Sequence, residues 1–336
     1  MHKPTFKGKH YDIGYRQGSF IFKKGIRMEP YFNLTIEKRE FGIECINQCA
    51  TVFPEVLEEI KGLADGMKVS YHDFASFIFC MYCFEFVNWC TCLAFKDDNN
   101  IVFGRNSDFA VSIEDQYESA FYNLESGYSF IGNSTAMVQM EDGVNEHGLA
   151  TGLTLVNMEV TKPGLNAGIL VRYLLEKCKT VTEALEHLAK LPMASAQTLT
   201  IVDKTGDVVV VECNREKTTI IRPRSNENFI VATNHYISSE MQQYQHNEEL
   251  YAEYRSKDRY QTAFNTLKTK SNFSLGLAKD ILSGKHGFMC QYDRSKGFDT
   301  VWSSVYDIKN HKIYRAEGNP SRVRFKSDNR LQFKVE

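Results

Sequence analysis

Hydrophobic positions along this chain change their period near residue 89. From Gly14 to Phe53 apolar residues recur at steps of three and four, and Pro54 stands where a new helix can begin. Residues 55–64 form an amphipathic stretch closed by Gly66, and a third helix is predicted over 72–86. Beyond Trp89 the alternation tightens to two. Strands are expected over 91–96, 100–105, 119–125, 128–140 and 147–155, then helices over 167–178 and 181–190. Strand character returns over 197–203, 208–213 and 229–232, with 204–207 as a hairpin turn. Helices over 239–283 and strands over 300–326 follow. This order makes an α+β chain with mixed layers. No linker or repeat interrupts it, so residues 1–89 read as a helical leader integrated with a domain over 90–336.

The strongest local signal is a predicted hairpin at the junction. Residues 90–95 are apolar or β-branched, 96–100 are polar, and 101–103 are Ile-Val-Phe, so the two arms must meet. The first arm carries Cys90 and Cys92, and the second carries Arg105 and Asp108. A thiol is a nucleophile only as thiolate, and a neighbouring cation lowers its pKa from the free value of roughly 8.5. Arg105 is placed to be that cation. Two residues apart on a strand, both cysteines face the same side, so spacing alone leaves the choice between them open.

Cys90-Thr91, an apolar strand, a polar turn and Gly104-Arg105-Asn106-Ser107-Asp108-Phe109 together resemble the N-terminal-nucleophile hydrolases of linear amides. That group includes choloylglycine hydrolases, penicillin V acylases and acyl-CoA:6-aminopenicillanate acyltransferases. Two further blocks are similar and in the same order, Asp142-Gly143-Val144-Asn145-Glu146-His147-Gly148-Leu149-Ala150-Thr151-Gly152-Leu153-Thr154 and Thr233-Asn234-His235. The helical leader looks like the acyltransferase branch.

The resemblance implies a four-layer αββα sandwich with an N-terminal helical segment. It also implies a mature enzyme beginning at Cys90, whose own α-amine serves as base, so that Trp89-Cys90 must be broken. An α-amine titrates near roughly 7.7–8.0, whereas an amide nitrogen is not basic. Trp89 stands where many relatives have glycine or methionine. By the same resemblance Arg105 supports the thiolate, Asp108 holds the α-ammonium, and Asn234 with the main-chain N–H of Thr154 receives the oxyanion. Arg259 matches a late arginine near the nucleophile, while Glu212 is expected to structure the site without a catalytic role. The expected substrate is a small N-acyl amide, and hydrolase and acyltransferase share the same thioester. No cofactor is implied.

Charge narrows the partners. With a net charge of −2 and no dense basic run in 336 residues, a nucleic-acid groove is not expected. Neither is a membrane partner, since no apolar run is long enough to span. A homo-oligomer stays open. The first ten residues lack the apolar core of a signal peptide, and nine cysteines, an odd number, suggest free thiols, so a cytoplasmic protein is expected. Two other readings of the thiols are tenable: zinc on Cys80, Cys83, Cys90 and Cys92, and an uncleaved enzyme pairing Cys90 with His235 as separate base. An uncleaved form could also only bind ligands. The aromatic strands at Phe121-Tyr122 and Tyr128-Ser129-Phe130 suggest either an apolar acyl pocket or core.

Overall fold

A computed structural model describes residues 1–84, 88–156, 162–245, 254–270 and 272–334. The leader contributes β1 (Thr5–Gly8), α1 (His10–Lys23), α2 (Ile36–Val52), α3 (Pro54–Met67) and α4 (Tyr71–Cys80). The hairpin follows as β2 (Trp89–Lys96) and β3 (Ile101–Ala110). Next come β4 (Glu118–Leu124), β5 (Phe130–Ser134), β6 (Asp142–Asn145), β7 (Ala150–Leu155), α5 (Ala167–Lys177) and α6 (Val181–Leu188). The remainder is β8 (Gln197–Val202), β9 (Val208–Cys213), β10 (Thr218–Ile221), β11 (Phe229–Ala232), α7 (Ser239–Gln242), α8 (Ser256–Lys268), α9 (Leu275–Leu282), β12 (Phe298–Asp307), β13 (Lys312–Ala316) and β14 (Lys326–Asp328).

Two sheets organise the core, one ordered β1-β4-β5-β6-β7-β8-β9-β10 and the other β11-β2-β3-β12-β13-β14. Alternation along β2 shows why they stack. Cys92 and Ala94 pack between the sheets with Ile131, Val144, Ala150 and Val210, while Leu93 and Phe95 point the other way, onto Ala263 and Leu267 of α8 and Ile281 of α9. The outer face of the first sheet is covered by the leader helices with α5 and α6. Helix, sheet, sheet, helix is therefore the layer order, as the αββα expectation has it.

The leader is built into this sandwich. β1 pairs in parallel with β4 at the sheet edge. α1 crosses α3 with backbones nearly touching: a Cβ on Gly14 would sit 2.0 Å from the Glu59 carbonyl oxygen, and one on Gly62 would sit 2.1 Å from that of Tyr11. Only glycine permits that approach.

Several expected elements are redrawn. The stretch from Gly14 to Phe53 is two helices separated by a short 3-10 turn at Glu29–Phe32. α4 stops at Cys80 rather than continuing to 86: Tyr82 takes a left-handed φ of 64°, and residues 85–87 lie outside the described ones. The strand expected over 128–140 is only Phe130–Ser134, because Gln139 and Glu141 are drawn into side-chain contacts with the leader. β1, β6 and β10 are too short or too polar to carry an alternation signal. Among the described residues no helix is long and apolar enough to cross a membrane.

Candidate active site

Cys90 sits at the start of β2, opposite Ser107, with Trp89 opposite Asp108 and Cys92 opposite Arg105. The tight turn that sets this register is held by Asp97, whose carboxylate accepts the N–H groups of Asn99 (2.8 Å) and Asn100 (2.7 Å). Arg105 lies on the same inter-sheet face as Cys90 and Cys92 and donates from Nη2 to the Cys90 thiol at 2.7 Å. The thiol in turn donates to Asn88 Oδ1 at 2.8 Å. Cys90 has no exposed surface. Burial pushes its thiol well above the ordinary range, opposed chiefly by Arg105.

Arg105 is itself seated by the second sequence block. Nη1 meets Asp142 Oδ2 at 3.0 Å, Nη2 meets Glu141 Oε2 at 3.1 Å, and Nε donates to the Leu153 carbonyl at 3.0 Å. Gly152 leaves room for the side chain, since a Cβ there would lie 2.7 Å from Phe103 and 3.0 Å from Arg105 Cδ. Trp302 and Tyr306 donate to Asp142, and Ser107 and Thr135 donate to Glu141. The chain thus surrounds one guanidinium with two satisfied carboxylates and leaves one donor for sulfur.

On the other face of the hairpin a second arginine enters from α8. Arg259 Nη1 donates to the Cys90 carbonyl (2.6 Å) and to Thr91 Oγ1 (2.9 Å), and its Nη2 donates to Asn234 Oδ1 (3.0 Å). That same Asn234 oxygen accepts the Cys90 N–H at 2.8 Å, while its amide nitrogen donates to the carbonyls of Asn88 (3.1 Å) and Leu155 (3.0 Å). Asp108 lies near Arg259 at 3.9 Å and accepts from Thr300 (2.5 Å) and Tyr292 (3.0 Å). Burial raises Asp108 to about 6 against the pull of Arg259.

Four of the five other expected residues, Arg105, Asp108, Asn234 and Arg259, therefore gather around Cys90, and the fifth, Thr154, is turned away. Leu153 N–H bonds to the carbonyl of Glu141, just before β6, and Val156 N–H to that of Ala196, just before β8, so the alternation of the ladder directs the Thr154 N–H at Thr198 in β8. Its hydroxyl instead donates to the Thr233 carbonyl at 2.6 Å, bracing the turn that carries Asn234. Glu212 braces that turn from its far side by accepting the N–H groups of Ile237 (2.5 Å) and Ser238 (3.2 Å).

The competing readings fare differently. His235 bonds through Nδ1 to Ser256 (2.8 Å) and Thr233 (3.0 Å) rather than to the thiol. Burial holds it down at about 4. Among the described residues no three His, Cys, Asp or Glu side chains converge as metal ligands, and Cys80 bonds to the Lys38 carbonyl away from Cys92. The Tyr122 and Phe130 rings stack 4.8 Å apart under Arg172, on the helix-facing side of their sheet, and belong to the core. Sequence pattern alone does not mark Glu141, Asn88, Tyr292 or Thr300. Glu141 adjoins the recognised Asp142 and was within reach, whereas Tyr292 and Thr300 meet Asp108 only through tertiary contacts.

This constellation coincides with a family match. A profile of the family described as acyl-coenzyme A:6-aminopenicillanic acid acyl-transferase matches residues 95–322. The chain belongs to this family. The matched span takes in Arg105, Asp108, Thr154, Asn234 and Arg259 and begins just after Cys90. Among solved structures the chain is similar to a Caenorhabditis elegans N-acylethanolamine-hydrolyzing acid amidase ortholog, at 18% identity over 66% of this chain and 93% of that one, with a TM-score of 0.49. Penicillin V acylase from Agrobacterium tumefaciens matches at 17% identity over 73% and 99%, TM-score 0.49. A conjugated bile acid hydrolase from Clostridium perfringens matches at 18% over 74% and 99%, TM-score 0.48. No curated protein matches in sequence.

Proposed function

We propose that this member of the acyltransferase family is a cysteine-nucleophile hydrolase of linear N-acyl amides that matures by breaking its own Trp89-Cys90 bond. The observation that carries the reading is the pairing of Arg105 with the Cys90 thiol at 2.7 Å, on a residue whose N–H is held by Asn234 at 2.8 Å. Maturation begins as the Cys90 sulfur attacks the Trp89 carbonyl carbon. The C–N bond breaks, the acyl chain moves to sulfur, and water opens the thioester. A Trp89 carboxylate, a free thiol and a free α-amine result, and the cytoplasmic setting suits cysteines that are all unpaired.

In turnover the α-amine takes the thiol proton while sulfur attacks the substrate carbonyl, and returns that proton to the leaving amine. Arg105 stabilises the thiolate and Asp108 steadies the ammonium. Asn234 acts as oxyanion donor, because the Asn88 carbonyl that occupies its amide nitrogen belongs to the severed leader. Trp89 stacks on Tyr254 at 4.4 Å among Val156, Ala196, Tyr236 and Met241. The acyl group of a substrate attacked by the same sulfur takes that place, which favours apolar, planar acyl groups. Water as acceptor completes hydrolysis, and an amine as acceptor makes the same thioester an acyltransferase.

Intact mass and N-terminal sequencing of the purified protein test this. A fragment beginning at Cys90 is expected, with the Cys90→Ala chain whole and inactive. Full amide turnover by Cys90→Ala ends the proposal, and full turnover by an uncleaved wild-type chain removes the α-amine from it.

A further inference from the structure

The leader carries an unusual surface. Among the described residues, seven large hydrophobic side chains are exposed, and six of them, Tyr15, Phe20, Ile26, Tyr31, Ile36 and Ile43, fall between residues 15 and 43. Scattered exposed apolar residues need no explanation, but a cluster does. Ile36, at the start of α2, is the barest of them at 73%, but it is the end of α1 that combines exposed apolar side chains with cations. Phe20 is 60% exposed and Ile26 is 52% exposed.

This tip is ordered. The Gly25 N–H bonds to the Phe22 carbonyl at 3.0 Å and the Ile26 N–H to the Ile21 carbonyl at 3.3 Å, the two hydrogen bonds of a Schellman cap, with Gly25 in the left-handed region at φ 74°. A Cβ at Gly25 would meet nothing within 4 Å. A cap of this kind ordinarily folds its last residue back against the helix, yet half of Ile26 stays in water.

Cations ring the same tip. No acidic residue occurs from Gln17 to Met28, a span that holds Lys23, Lys24 and Arg27. Lys68, from the end of α3, joins them in space. Lys24 lies 5.4 Å from the Phe20 ring centroid, and Arg27 and Lys68 lie 5.3 Å and 4.5 Å from that of Phe22. Lys23 and Lys24 at the end of α1, and Lys68 at the end of α3, suit helix C-termini on dipole grounds, but Arg27 and the bare Phe20 ring have no such reason.

We propose that this tip docks on an anionic lipid surface, with Phe20 and Ile26 entering the boundary of the acyl chains and the four cations at headgroup level. Long basic side chains beside apolar ones are arranged to do this, the stems buried and the charges wet. Charge complementarity selects the occupant: a second copy of the chain would set these four cations against their own images, whereas acidic headgroups neutralise them. Lying on a membrane differs from crossing one, so the lack of a spanning helix among the described residues is no obstacle.

Vesicle sedimentation of the full chain tests the proposal. Wild type is expected to bind vesicles of phosphatidylcholine with about one-third phosphatidylserine at least roughly tenfold better than pure phosphatidylcholine, with the preference lost in high salt. Lys23→Glu/Lys24→Glu and Phe20→Ser/Ile26→Ser should each lower binding by about tenfold or more, with turnover of a water-soluble amide unchanged. Equal binding to both vesicles, or variants that bind like wild type, overturns it. So does a wild-type dimer in light scattering that Phe20→Ser/Ile26→Ser dissociates. Thermal melts control for folding, and the charge reversals, on exposed side chains, decide the matter if the apolar variant unfolds.

Discussion

Two arginines in this protein are buried in nearly the same way, and only one of them faces a thiol. Arg172 of α5 meets Glu59 at 2.7 Å and Glu176 closely, donates to the Val138 carbonyl, and lies 3.9 Å from the Tyr122 ring centroid. Arg105 of β3 meets Glu141 at 3.1 Å and Asp142 at 3.0 Å, and donates to the Leu153 carbonyl. Each guanidinium is fully buried between two carboxylates. The difference lies in the remaining donor. Around Arg172 the donors go to carboxylates and a carbonyl, and one carboxylate, Glu59, comes from the leader, so the cluster rivets leader to domain; His10 extends it by bonding Glu176 at 3.0 Å. Around Arg105 one donor is left for the Cys90 sulfur. A buried ion cluster is thus not evidence of chemistry by itself. What separates the two clusters is that one leaves a donor for a side chain capable of nucleophilic chemistry and the other leaves none.

The largest effect that could break this comparison comes from Arg105→Met. It should lower stability by about 3–5 kcal/mol, as expected when buried carboxylates lose their partner, and also abolish self-cleavage and turnover. Arg172→Met should cost the same 3–5 kcal/mol, read by urea melts, yet leave turnover per folded molecule near wild type. If it silences the enzyme while still folded, the two clusters are not separate in function. The triple change Glu59→Leu/Arg172→Met/Glu176→Leu should recover most of that loss, since apolar replacement of a whole buried ion cluster is often neutral or stabilising.

Asn234→Ala comes next, at roughly a 10²–10³-fold loss in single-turnover acylation by pre-cleaved enzyme, with substrate affinity little changed. Near-normal acylation in a folded variant would leave Asn234 as a support for the Cys90 main chain. The smallest effect concerns Asp108. Raised to about 6, its carboxyl keeps a proton in the native state that the unfolded chain releases above roughly 4. Native protein then holds more protons than unfolded across that window, so this group's contribution to stability declines as pH rises from about 4 to 6, by at most about 1.4 kcal/mol per unit. In a Cys90→Ala background, which stays whole, Asp108→Asn should remove that slope from the melting profile. An unchanged slope would assign it to other groups.

Local pattern carried the hairpin, because its alternation, its polar turn and its two chemistry-bearing ends lie within twenty residues and need no other part of the chain. The second block was visible as a motif, but its physical purpose was not. Asp142 and Gly152 matter because one holds Arg105 and the other makes room for it, and neither relation is written in sequence distance. Thr154 shows the opposite failure. A strand residue's N–H points to one neighbouring strand or the other, and which one depends on register with β6 and β8, set far along the chain. Arg259 carries no local signal beyond its family match, and only the packing of α8 against β2 brings it onto the Cys90 carbonyl.

By itself, then, the sequence determined the α+β order, the change from helical to strand period near residue 89, and the thiol, arginine and carboxylate of the hairpin. Tertiary structure decided which of those residues meet, that the leader is riveted through Glu59 and its glycine crossing to the domain, and that one end of α1 stands bare among lysines. The reason is one of range. Periodicity and turn chemistry act over a few residues, whereas a buried guanidinium finds carboxylates and a thiol only when strands distant in sequence are packed within about 3 Å of one another.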